Sequence, residues 1–161
     1  MGCLASVKTG FTRCKSIWEQ LPSGFIKINV DVAVGSKSSY AACIARDEHD
    51  FVLGAWATIH PMIDPVIAEA YATRLACLFA RDKGWSSVCF EGDAQVIING
   101  ILSPSLSSAW SYDVVILDIK FIANTLRAFS FKKASTEANV ATHEMARWGG
   151  GGGGWFFGFP R

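Results

Sequence analysis

The chain has 161 residues, half of them apolar, 12% aromatic and 18% charged. That suffices for one domain with a sizeable core, leaves no room for two, and is too apolar for an intrinsically disordered chain. Fifteen Lys and Arg against fourteen Asp and Glu leave a net charge of +1, which excludes a bulk electrostatic pull toward nucleic acid or anionic membrane, so any anionic ligand must be held by a local patch.

The five cysteines, Cys3, Cys14, Cys43, Cys77 and Cys89, are odd in number, scattered and without a C-x-x-C pair. They read as reduced, mostly buried thiols of an intracellular protein, cytosolic or nuclear. No apolar run approaches the roughly eighteen residues of a membrane helix, and the start lacks the pattern of a signal peptide. Met1 to Ser6 matches the M-G-x-x-x-[ST] acylation pattern, with Cys3 placed for a second acyl chain. Six residues match so loose a pattern by chance, and the segment is read as part of a flexible lead-in over residues 1–17. A membrane-anchored scaffold, resting on those six residues alone, ranks third among the readings.

Core patterning begins after the turn cluster Leu21-Pro22-Ser23-Gly24. From Phe25 to Val34, Ile26, Ile28, Val30, Val32 and Val34 alternate with Phe25, Lys27, Asn29, Asp31 and Ala33, the two-residue period of a strand, so Asp31 projects from the face opposite the apolar one. The runs Tyr40 to Ala45 and Phe51 to Ile59 flank a polar Arg46 to Asp50 stretch and suit an antiparallel hairpin. Asp64-Pro65 gives an N-cap followed by proline at the first helical position, and Ile67, Tyr71, Leu75, Leu78 and Phe79 recur at helical spacing up to Gly84. Val88 to Phe90 is a fourth strand, followed by a short helix from Ala94 to Leu102 and a Ser/Pro-rich loop from Ser103 to Ser108.

Tyr112 to Ala128 is ambiguous: its β-branched residues favour strand, while its length and the 114/117/121 and 115/119/122/126 spacings favour helix, which length decides. Phe129 to Lys133 is a fifth strand, and Glu137 to Trp148 a last helix stopped by the glycines from Gly149. Residues 149–161 are read as a Gly-rich and aromatic tail without order, and residues 18–148 as the domain. The order β-β-β-α-β-α-α-β-α implies an α/β architecture, a mixed sheet with helices on its faces.

Three acids stand in apolar or small surroundings. Glu69, near a helix N-terminus, is favoured there by the macrodipole without any function, and Asp93 is placed to cap the helix after it. Asp31 is harder to explain, because a carboxylate in a central strand must be paired, hydrated or metal-bound. His49 and His60 read as ordinary surface residues, and Cys77 and Cys89 as core packing.

Asn29-Val30-Asp31-Val32-Ala33, the hairpin strand closing with Ala45-Arg46-Asp47, Ala68-Glu69-Ala70-Tyr71-Ala72, Glu91-Gly92-Asp93-Ala94, and Glu137-Ala138-Asn139 with His143-Glu144-Met145-Ala146 follow one another in order. Together they resemble the plant ribonuclease H-like domain of the reverse-transcriptase-associated type, over about Trp18 to Trp148. The resemblance implies a ribonuclease H-like five-stranded mixed sheet of order 3-2-1-4-5 with helices on both faces. It also implies a hydrolase cleaving the RNA strand of RNA-DNA hybrids with two divalent ions, Mg²⁺ or Mn²⁺. Asp31, Glu69 and Asp93 carry over as the metal ligands and, with His143, as the catalytic set; Asp31 would bridge the two ions. Two cations about 3.5–4 Å apart can activate a water and stabilise the leaving oxyanion of an in-line displacement, and hard carboxylate oxygens select Mg²⁺ or Mn²⁺ over zinc.

The chain makes four departures from the family's common pattern. Val32 stands where glycine is usual, Gly92 and Ala94 where serines are, and Thr136 where arginine is. His143 occupies the place of the fourth acid of bacterial-type ribonucleases H, as is frequent in the plant group, and implies a weaker, more Mn²⁺-dependent site. Lys37, Lys132, Lys133 and Asn139 are the candidate nucleic-acid contacts, a modest set that implies weak, strongly salt-dependent binding by a monomeric protein. The alternative is a catalytically inactive, retroelement-derived module that binds nucleic acid or protein through the retained fold.

Overall fold

The computed structural model describes residues 21–61, 64–105, 110–148 and 156–158. The lead-in and its acylation pattern, with Cys3 and Cys14, lie outside the described residues, as does most of the tail. Among the described residues no helix is long and apolar enough to cross a membrane.

Alternating residues make β1 (Ile26–Val34), which pairs antiparallel with β2 (Ser39–Arg46), itself paired antiparallel with β3 (Val52–His60). The turn between β2 and β3 needs Asp50 at a φ of 64°, tolerable for an aspartate, and the Asp47 carboxylate closes it by accepting from the His49 and Phe51 amides. Helix α1 (Pro65–Asp82) then crosses back to β4 (Ser87–Gly92), which lies parallel to β1 on its other side. The α1 N-terminus forms as its residues dictate: Pro65 has no amide to satisfy, and the Asp64 side chain accepts from the Ile67 amide at 3.0 Å. Gly84, at a φ of 70°, takes the left-handed turn after the helix, where a β-carbon would be strained.

Helices α2 (Gln95–Leu102) and α3 (Trp110–Ala123) lead to β5 (Ala128–Lys133), parallel to β4, and α4 (Thr136–Trp148) follows. The five strands lie in the order 3-2-1-4-5, as expected. A short β6 (Phe156–Gly158) adds antiparallel to the outer edge of β3. No period in the sequence announces β6, and residues 156–158 depart from the tail without order that the glycine run suggests; three residues on an open edge need only backbone bonds to dock.

The main core fills the space between the sheet and α1, α2 and α3. Alanines at 68, 70, 72, 76 and 80 bring α1 close to the strands, and Phe79 meets Trp56 and Trp85 edge-on at 5.7 and 5.3 Å. Phe90 stacks on Phe131 at 4.9 Å. The two apolar spacings of α3 part company: Val115, Ile119, Ile122 and, just beyond the helix, Leu126 are buried, while Val114, Leu117 and Phe121 face outward. The helix stops at Ala123, five residues short of the expected end, because Leu126 and Thr125 turn back to bond the Ala123 and Ile122 carbonyls. On the opposite face of the sheet α4 packs through small side chains, Ala146 against Ala42 and Ala57.

His60 is not the ordinary surface residue the sequence suggests. At the end of β3 its ring lies 5.6 Å from that of Tyr71, its Nε2 is buried without a hydrogen-bond partner, and burial holds its pKa below the usual imidazole value.

Candidate metal centre

The parallel trio β5-β4-β1 meets the antiparallel pair β2-β3 at β1, and at the carboxyl end of β1 the side chains of three elements converge. The paired register of β1 with β4 ends at Asn29 and Glu91. Beyond that fork, β1 presents Asp31 and the turn after β4 presents Asp93, while α1, packed against β1 and β2, delivers Glu69 from its second turn. One carboxylate oxygen from each of Asp31, Glu69 and Asp93 lies within 4.8 Å of the others. Such crevices outside the carboxyl ends of strands, where connections diverge, are where open α/β sheets bind ligands.

Each acid has a different environment. Asp31 is 3% exposed; burial pushes its carboxyl up, and the Val32 amide and the His143 ring pull it back down. His143 Nδ1 lies 2.7 Å from Asp31 Oδ2, and the rest of that ring is half exposed. Glu69, half-buried, is pushed up to about 8 by burial and by the like charges of Asp93 and Asp31. Asp93 is exposed, and it does not cap α2 as its position in the sequence suggests: the cap is Ala94, with no side-chain hydrogen bond, so the Asp93 carboxylate turns to the cluster instead. Among the described residues no Lys or Arg forms an ion pair with the three acids.

The expected nucleic-acid contacts fare differently. Lys37 is exposed in the turn after β1, and Lys133 is exposed at the end of β5 in register with Gly92, so both lie at the same end of the sheet as the acids. Lys132, in register with Glu91, lines a cleft beside Glu69 that is walled by Thr73, Gly92, Ala94 and Ile97. Asn139 is no surface contact: it is 7% exposed and its side-chain amide donates to the Val30 carbonyl at 3.3 Å, tying α4 to β1.

Two sets of polar residues escape the sequence reading. Gln95 and Asn99, a turn apart on the exposed side of α2 just past Asp93, are hydrogen-bonded to each other at 2.9 Å; their i, i+4 spacing was the available signal. Beneath the acids, the fully buried Asn29 donates to Glu91 and accepts from Arg46, and Lys27 pairs with Glu91 at 3.8 Å. The period-two pattern puts Lys27, Asn29 and Asp31 on one face, and only the pairing of β1 between β2 and β4 shows what they meet.

Comparison with known proteins bears on the fold. A family model described as reverse transcriptase-like matches residues 29–149. Among solved structures, ribonuclease H1 of the archaeon Halobacterium salinarum superposes with a TM-score of 0.69 at 11% identity, over 76% of this chain and 93% of the other. The N-terminal ribonuclease H domain of Rv2228c from Mycobacterium tuberculosis gives 0.70 at 11% identity, over 76% and 91%. A compost-derived ribonuclease H1, LC11, solved with an RNA/DNA hybrid, gives 0.67 at 14% identity, over 76% and 94%. Comparison with curated protein sequences finds no match.

Proposed function

The chain belongs to the reverse transcriptase-like family, and from that premise we propose that it hydrolyses the RNA strand of RNA-DNA hybrids at Asp31, Glu69 and Asp93 with two divalent cations, Mg²⁺ or Mn²⁺. The observation that carries the reading is the convergence of three carboxylate oxygens within 4.8 Å at the carboxyl end of β1. The fold supports it, being shared with a ribonuclease H1 solved with an RNA/DNA hybrid.

The donor set fits such a cation. Three carboxylates this close, without a basic side chain paired to them among the described residues, repel one another, and burial together with that repulsion holds the Glu69 proton up to about 8. A divalent cation neutralises that repulsion, and oxygen-only ligands suit Mg²⁺ or Mn²⁺. When bound, the cations supply activation of a water and charge stabilisation at the leaving oxygen.

The chain's own residues do the rest. Asp31 is buried and held by the Val32 amide and His143, so its carboxylate stays in one orientation. His143, with Nδ1 engaged by Asp31, has its second ring nitrogen available to hydrogen-bond a water or a substrate oxygen. Lys37 and Lys133, exposed at the end of the sheet that carries the acids, would meet phosphates, with the half-buried Lys132 beside Glu69 as a third contact. The neutral amides of Gln95 and Asn99 are suited to ribose hydroxyls in a minor groove, which is how a protein tells RNA from DNA.

A second reading, a module that binds nucleic acid or protein without turnover, is favoured by one observation: of the expected phosphate contacts, only Lys37 and Lys133 are exposed. Calorimetric titration of Mg²⁺ and Mn²⁺ separates the two. Binding at millimolar concentration by the parent chain, lost in Asp31→Asn, supports the hydrolase; no heat from either cation supports the binding module.

A further inference from the structure

Helix α4 holds β1 at two consecutive residues. Asn139 donates from its side-chain amide to the Val30 carbonyl at 3.3 Å, and one turn later His143 Nδ1 meets Asp31 Oδ2 at 2.7 Å. The first bond falls where the sheet itself lets go. The β1–β4 register ends at Asn29 and Glu91, and the Val30 carbonyl is the next acceptor along the strand, facing Gly92 across the opening fork.

Among the described residues of α4, the remaining contacts with the sheet are small and apolar. Its apolar contact is a cluster of Ala42, Ala57 and Ala146 with Ala33 and Met145 at the margin, and small side chains bury little area. Thr142, also fully buried, has a hydroxyl without a partner and adds no hold. The Asn139 amide is buried, so its bond must be made within the protein, and its loss leaves a stranded carbonyl.

We propose that Asn139 is a positioning residue for the acidic centre: through the Val30 carbonyl it sets β1 against α4 so that Asp31 stands at once within reach of His143 and of Glu69 and Asp93. This rests on the reading of the three acids as a metal centre for its consequence, and on geometry alone for its first effect. Asn139 touches neither substrate nor ion; it acts through Asp31.

The test compares the parent chain with Asn139→Leu, which keeps the volume and removes the donor, and Asn139→Ser, which restores a short donor. In cation-free solution, ¹⁵N spectra of His143 report the bond to Asp31. Asn139→Leu should shift the Nδ1 signal to that of a free imidazole, with Asn139→Ser in between, while the rest of the spectrum stays folded. Mn²⁺ affinity should then fall by about tenfold or more in Asn139→Leu, the loss typical when a partner of a ligand is removed. An unchanged His143 signal in a folded Asn139→Leu overturns the proposal, whatever the cation does. So does exchange of the parent's Asn139 amide protons at the rate of a free amide, a measurement that stands even if the leucine variant does not fold. If the parent binds no Mn²⁺, the hydrolase reading fails, and the His143 signal still decides this one.

Discussion

The Nδ1 of His143 lies 2.7 Å from Oδ2 of Asp31, joining the one imidazole near the cluster to its most buried acid. This bond lowers the Asp31 pKa against the pull of burial. His143→Ala should therefore leave Asp31 harder to ionise and cut hybrid cleavage by about ten- to a hundredfold, as loss of a ligand's hydrogen-bond partner typically does. His143→Asp, which adds a formal charge beside the acids, should restore more activity in Mg²⁺ than the alanine does. Steady-state cleavage rates in the two cations check both.

Glu69 makes the cation-free protein sensitive to pH. Its folded pKa of about 8 exceeds its ordinary value of 4.5, so between the two the folded chain binds more protons than the unfolded one. Stability is then greatest below the lower value and is lost as pH rises through the upper one. In a chelating buffer the melting temperature should fall between about pH 5 and pH 8.5, and Glu69→Gln should flatten that slope. Added Mn²⁺ should do the same for the parent by binding the ionised cluster. Differential scanning calorimetry across pH reads all three.

Cation binding should release protons for the same reason. Near pH 7 Glu69 is largely protonated, so Mn²⁺ must displace its proton, and affinity should rise with pH up to about 8. Calorimetry in buffers of different ionisation enthalpy measures the release. Asp31 is one of the causes of the Glu69 shift, so Asp31→Asn should lower the Glu69 pKa as well as weaken binding.

With Lys37, Lys132 and Lys133 as the proposed phosphate contacts, the chain should bind hybrid weakly and lose affinity as salt rises. Three contacts correspond to a slope of log affinity on log salt of about −3 on a duplex. Lys133→Ala should reduce that slope by about one without altering sequence preference. Fluorescence anisotropy over a salt series provides the measurement.

The fold was largely legible because its signals are local. Alternation from Ile26 to Val34 specifies a strand, and the Asp64-Pro65 start and Gly84 stop specify a helix, wherever they sit in space. The acids were legible only in combination: Glu69 and Asp93 each have an ordinary local explanation, and the order of the motifs tied them to Asp31. What stayed hidden depends on packing between distant elements. Asn139 reads as a nucleic-acid contact until α4 is laid on β1 and its amide meets Val30. His60 reads as a surface residue until Tyr71 covers it, and β6 leaves no trace because edge pairing is made by backbone atoms.

The proposed cleavage of RNA at this centre can be measured outright. Its most direct test incubates the purified chain, beside an Asp31→Asn control of matched fold, with a hybrid labelled on each strand, in Mg²⁺ and then in Mn²⁺. Fragments of the RNA strand alone are expected, from the parent and not the control, with more product in Mn²⁺. An intact RNA strand in both cations, from a folded parent chain, would contradict the proposed cleavage.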